Sequence, residues 1–128
     1  MTMDSQSVLS VVVLEDEALI ALDVEEALRD AGFNVLAVIS SCADAHKWFE
    51  ANSPDVAVLD IELRDGNCAA IASLLHERNI PFVVHTGSSS ETVREAPIFL
   101  KGRWVSKPNG PSELTDAVAA CINARSTA

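Results

Sequence analysis

The sequence predicts a single α/β domain whose parallel sheet is buried on both faces. Five short apolar runs recur at intervals of roughly 20–30 residues: Val8 to Leu14, Val35 to Ile39, Val56 to Leu59, Pro81 to Val84, and Trp104 to Val105. They read as nearly continuous aliphatic stretches, without the polar/apolar alternation of a half-exposed strand, so both faces of each strand should be covered. Segments with helical periodicity separate them, and strands alternating with helices form parallel sheets through right-handed crossovers. A chain of 128 residues that is 48% hydrophobic suits one domain with a real core.

The helices follow in order. Ile20, Val24, Ala27 or Leu28, and Ala31 share one helical face, and Gly32 stands where a C-terminal cap is wanted. Ser41 caps a second helix that carries Ala45, Trp48 and Phe49 and ends before Asn52-Ser53-Pro54-Asp55. A third, around Ala69 to Arg78, offers Ile71, Leu74 and Leu75 to the core. A fourth starts at Ser89 or Ser90 and is stopped by Pro97 after about two turns. The fifth begins near Gly110 to Leu114, with Pro111 and Ser112 as start signals and Leu114, Ala117, Val118, Cys121 and Ile122 facing inward. The division expected is a short polar lead over residues 1–7, a domain over 8–125 and a tail over 126–128.

Composition narrows the function. The formal net charge is -10 and no Lys/Arg cluster interrupts it, so direct nucleic-acid binding, which needs a basic footprint, is not expected. No apolar stretch approaches bilayer length, and the lead lacks the features of a signal peptide, so a cytoplasmic protein without a membrane partner is expected. Cys42, Cys68 and Cys121 are odd in number, widely spaced and without a CxxC pair, which argues against a disulfide framework or zinc site.

In parallel sheets of this kind the binding crevice lies at the carboxyl ends of the strands. Glu15 and Asp16 follow the first run, Asp60 the third, Thr86 the fourth, and Lys107 the fifth. Two like charges about 4 Å apart repel by roughly 4 kcal/mol at an effective dielectric of about 20, so acids gathered there need an offset. A hard divalent cation supplies it, and Mg2+ prefers oxygen ligands. Asp60 can then act as a nucleophile toward a phosphoryl group whose charge the metal and Lys107 neutralise, with Thr86 donating a hydrogen bond.

The stretches Val11-Val12-Val13-Leu14-Glu15-Asp16-Glu17, Val56-Ala57-Val58-Leu59-Asp60-Ile61-Glu62-Leu63, Val83-Val84-His85-Thr86-Gly87 and Val105-Ser106-Lys107-Pro108, in this order, resemble the receiver domain of two-component response regulators. The resemblance runs from about Val8 to Ala124. It implies a flavodoxin-like, CheY-like sheet of order 2-1-3-4-5 with about five helices; within 128 residues no output domain is expected. Asp60 is then the phosphoacceptor, and Glu15, Asp16, Asp60 and the backbone carbonyl of Glu62 hold Mg2+ or Mn2+. Lys107, Thr86 and Gly87 stabilise the phosphoryl group, Thr86 and Trp104 act as the switch, and the Lys107–Pro108 bond takes the cis form often found there. The partners implied are a sensor histidine kinase or histidine phosphotransfer protein and an unknown downstream protein, with the chain a monomer or weak dimer.

The sequence also departs from that pattern. The stretch from Asp60 to Asn67 is shorter than the usual loop and lacks its proline, and Asn109 stands where an apolar residue commonly follows Lys-Pro. Val84 to Gly87, with a short fourth helix, is similar to a bacterial branch of stand-alone receivers with a Phe-Ala-Thr-Gly motif. Plainer readings stay open: Glu17 as an acid serving a helix N-terminus, Trp104 as a core aromatic, His85 as a packed residue, and Ser88 to Ser90 as turn and cap. At the level of function, the alternatives are a receiver-like binding module that acts without phosphorylation and a haloacid-dehalogenase-like phosphatase. The latter would want an Asp-x-Asp pair at the first strand.

Overall fold

The structure is a computed structural model and describes residues 8–87, 96–110 and 112–127. Five parallel strands, β1 (Ser10–Leu14), β2 (Asn34–Ile39), β3 (Val56–Leu59), β6 (Phe82–Thr86) and β7 (Arg103–Ser106), form one sheet of order β2-β1-β3-β6-β7. A two-rung antiparallel hairpin, β4 (Glu62–Leu63) and β5 (Gly66–Asn67), lies between β3 and the next helix. With the hairpin set aside, the order is the 2-1-3-4-5 expected. Helices α1 (Ala18–Asp30), α2 (Cys42–Phe49), α3 (Ala69–Glu77) and α4 (Glu113–Thr127) are joined by a 3-10 turn at Pro97–Lys101. The predicted start of the fourth helix at Ser89 or Ser90, the Pro111 start signal and the lead over 1–7 lie outside the described residues. No helix among the described residues is long and apolar enough to cross a membrane.

Successive strand residues point to opposite faces, which divides the core into two layers. Val11, Val13, Val56, Val58, Val83 and Val105 pack with Val24 and Leu28 of α1 and Leu114, Val118 and Cys121 of α4. Val12, Leu14, Ala57, Leu59, Phe82 and Val84 pack with Ala45 and Phe49 of α2, Ile71 and Leu75 of α3, and Phe99. Each fully buried aliphatic or Phe side chain contributes about 1.5–3 kcal/mol of transfer free energy. Burial on both faces accounts for the unbroken apolar runs of β1, β3 and β6, whereas the edge strands β2 and β7, expected to be covered on both faces as well, leave Leu36, Val38 and Trp104 exposed because no further strand or helix packs over that side.

The helix ends follow local chemistry. Gly32 has φ +96, and the Phe33 N–H reaches the Leu28 carbonyl at 3.0 Å, closing α1 with a left-handed turn. Leu28 is the buried residue of the predicted Ala27/Leu28 pair, whereas Ala31, predicted to face inward, is exposed. It lies past the last helical turn, and Ala21 occupies a buried position on that face instead. Val8, counted in the first run, precedes β1 and is half-exposed.

Ser41 Oγ accepts from the Asp44 N–H at 3.1 Å, as a capping serine should. The Asp65 carboxylate, from the hairpin turn, accepts from the Cys42 N–H at 2.6 Å and the Ala43 N–H at 3.0 Å. Three otherwise orphaned donors of α2 are thus satisfied, and the hairpin is tied to the helix. The same N–H groups hold the Asp65 carboxyl below its ordinary pKa. Beside this junction the free thiols of Cys42 and Cys68 stand 3.6 Å apart, although 26 residues separate them in the chain.

Where the 3-10 turn enters β7, a Cβ on Gly102 would lie 2.5 Å from two ring atoms of Phe82 and 2.7 Å from its carbonyl oxygen. Phe82 is buried, so neither neighbour yields freely. Gly102→Ala is expected to cost about 1–3 kcal/mol through overpacking. Chemical unfolding should show a lower midpoint with little change in slope.

Candidate functional site

The site is built from the last rungs of the sheet. Glu15 N–H donates to the Ile39 carbonyl at 2.9 Å, Asp60 N–H to the Leu14 carbonyl at 3.1 Å, and Lys107 N–H to the Thr86 carbonyl at 3.0 Å. Each residue immediately follows, or lies just beyond, its strand, so the parallel ladder sets where each side chain starts. Three chain segments distant in sequence converge in this way at one sheet edge.

Lys107 Nζ donates to Glu15 Oε1 and to Asp60 Oδ2, both at 2.7 Å. Glu15 is buried, and its second oxygen accepts from the Glu17 N–H at 3.1 Å. Asp60 is half-buried and Asp16 exposed. Burial of the Lys107 amine favours its neutral form, but the hydrogen bonds and charges of Asp60 and Glu15 outweigh that and hold its pKa above the ordinary lysine value.

One carboxylate oxygen from each of Glu15, Asp16 and Asp60 lies within 4.8 Å of the others. Three carboxylates against one ammonium leave two negative charges, which a single divalent cation would balance. Oxygens on opposite sides of Mg2+ stand about 4.2 Å apart, so small side-chain rotations or a bridging water would close the set. An all-oxygen donor set with a solvent-facing member therefore fits a hard cation that keeps several waters.

Glu62 opens the hairpin two residues after Asp60, and its N–H approaches Asp60 Oδ1 at 3.5 Å. Thr86 ends β6 and is buried, while Gly87 is exposed and faces the Lys107 Cβ. The Lys107–Pro108 bond is cis. Trp104 is 37% exposed on β7, and its indole N–H donates to the Phe99 carbonyl at 2.9 Å, away from the acidic cluster's direct contacts. Glu17 makes its contact with Glu15 through the backbone and sits at the N-cap of α1.

Two contacts had no forewarning in periodicity. The Asp65 cap of α2 is a long-range contact between loops. The other is a 2.7 Å hydrogen bond between His85 Nε2 and Asn109 Oδ1, beside Lys107. The polar residue in place of the usual apolar one after Lys107-Pro108 was its signal.

A sheet of this order with acids on two adjacent central strands and a lysine on the fifth defines a receiver. The response regulator receiver domain family matches residues 11–119, and the chain belongs to that family. PdtaR, a transcriptional regulatory protein of Mycobacterium tuberculosis, is 30% identical over 119 residues, covering 88% of this chain and 56% of that protein. The chain spans about half the length of the curated relatives it matches. The solution structure of SdrG from Sphingomonas melonis is 30% identical with a TM-score of 0.76, covering 90% of this chain and 97% of that one. A receiver protein from Sinorhizobium medicae is 28% identical with a TM-score of 0.81, covering 94% and 98%.

Replacing Lys107 with Met would leave Glu15 buried opposite Asp60 without a counter-charge. This is expected to cost about 2–3 kcal/mol at pH 7 in a divalent-free buffer. Because the folded-state pKa of Lys107 is raised, its contribution is complete below the unfolded lysine value and disappears as pH rises through the folded one. Unfolding curves of the two proteins should therefore stay apart up to about pH 10 and converge above it.

Proposed function

We propose that this receiver accepts a phosphoryl group from a phosphohistidine onto Asp60 and signals through protein contact. The observation that carries the reading is the Lys107 amine held at 2.7 Å from both Asp60 and Glu15, beside Asp16. Glu15, Asp16, Asp60 and the Glu62 carbonyl would hold Mg2+, or Mn2+, which supplies charge neutralisation on the phosphoryl oxygens. An Asp60 carboxylate oxygen attacks phosphorus in line with the departing imidazole. The P–N bond breaks, its electron pair stays on nitrogen, and that nitrogen takes a proton from solvent. Lys107 then exchanges its contact with the Asp60 carboxylate for one with the phosphoryl oxygens. The Thr86 hydroxyl and the neighbouring Gly87 segment stabilise the same group.

A groove of about 770 Å³ runs from Lys107 along α1 and is flanked by Glu17, Asp23, Glu26 and Asp30. Leu19, 79% exposed, and Leu22, 49% exposed, add apolar surface to α1. A kinase or phosphotransfer protein with basic and apolar side chains around its histidine fits that face. The phosphoryl group adds about -1.5 to -2 charges. Drawing Thr86 toward it frees space for Trp104 to leave the Phe99 carbonyl and turn inward, which changes the β7 face offered to a downstream partner.

Intact mass after incubation with Mg2+ and acetyl phosphate tests the reading. One phosphoryl group, labile to hydroxylamine, is expected on the native chain, none on Asp60→Asn, and at least tenfold slower incorporation on Asp16→Asn. Absence of the adduct with small donors and with histidine kinases alike, while Mg2+ still binds, would favour a binding module that works without phosphorylation.

A further inference from the structure

We propose that His85 and Asn109 form a positioning pair that holds the Lys107 loop in place for phosphoryl transfer, an assignment that rests on the function proposed above for Asp60. The two residues lie 24 positions apart on different segments, yet His85 Nε2 and Asn109 Oδ1 meet at 2.7 Å. The amide nitrogen of Asn109 donates to the Gly110 carbonyl at 2.9 Å, which turns Oδ1 toward the ring and makes His85 Nε2 the donor.

The position of the pair gives it its consequence. β7 leaves the sheet after Ser106, which is paired with Thr86, and the Lys107 N–H makes one further bond to the Thr86 carbonyl. The chain then passes through the cis Lys107–Pro108 bond, and Asn109 returns to His85. The Lys107–Asn109 segment is therefore pinned at both ends by two consecutive residues of β6. His85 is only 5% exposed, so its ring is fixed by packing and presents Nε2 to Asn109 at the rim of the groove. Lys107 reaches Glu15 and Asp60 from between these two anchors. Without the second, the Thr86 contact and the Lys107 ion pairs would hold the loop at Lys107, and the next backbone N–H hydrogen bond along the described chain would be that of Gly110 to Glu113 Oε1. His85 and Asn109 both stand where less polar residues occur in the pattern this chain resembles, and each satisfies the other. An apolar residue after Lys-Pro anchors by packing, and here a partly buried hydrogen bond takes that place.

The test compares native protein with His85→Leu, Asn109→Leu, the double variant and His85→Gln, whose side-chain amide restores a donor near Nε2. Two quantities are measured on each: hydrogen exchange of the Lys107 amide by NMR, and the rate of Asp60 phosphorylation as a function of acetyl phosphate. Expected is at least tenfold faster Lys107 exchange in each single Leu variant, with no further loss in the double variant. The maximal phosphorylation rate should fall about fivefold with half-saturation unchanged, and His85→Gln should recover most of both. Exchange and rate unchanged in His85→Leu would overturn the pair. So would losses in the two Leu variants that simply multiply in the double variant, or His85→Gln behaving like His85→Leu. If the native chain takes no phosphoryl group from acetyl phosphate or from histidine kinases, the function proposed for Asp60 fails on that control. Lys107 exchange still judges whether the pair holds the loop.

Discussion

The ammonium of Lys107, shared between Glu15 and Asp60, is the interaction on which the arrangement of this protein depends. It joins β1, β3 and the end of β7, which no local contact could bring together. Gathering carboxylates at a sheet edge opposes folding, and the lysine is what the chain itself supplies against that repulsion. The offset is incomplete, because Asp16 adds a charge that no ion pair among the described residues meets. This residual negative field suits a small hard cation.

Polar contacts make this edge precise, whereas apolar packing builds the layers beneath it. The strands deliver Glu15, Asp60 and Lys107 by continuing their backbone ladders one residue past the sheet. Loops then refine the placement. Asp65 secures the segment after Asp60 to α2, and the His85–Asn109 bond lies beside Lys107. Beyond the ends of the strands, hydrogen bonds between loops take over from hydrophobic burial as the source of order.

Much of the fold was legible because it rests on local periodicity. The apolar runs located the five strands, Ser41 marked the start of α2, and Gly32 marked the end of α1. The acidic cluster was legible because carboxylates at the ends of apolar strands are costly without a purpose, and Glu15, Asp16 and Asp60 do converge. Ala31 was misplaced because helical periodicity was carried one residue too far, past the final turn. Asp65 and Asn109 could not be read in the same way, since their partners lie on other segments and no spacing rule links them. The approach of Cys42 and Cys68 has the same origin: wide separation in sequence says nothing about loops that the sheet folds together.

The strict alternation of side chains across the sheet has a further consequence. His85 shares a layer with α1 and α4, while its neighbour Thr86, one peptide further on, belongs to the layer of α2, α3 and Trp104. The sheet is thus a partition with different helices packed on each side, and the acidic edge is where the two sides meet. Substitutions in one layer need not disturb the other, because alternate residues of each strand belong to different layers. A chain built this way can vary the surface over α1 and α4 and the surface over α2 and α3 as two separate inheritances.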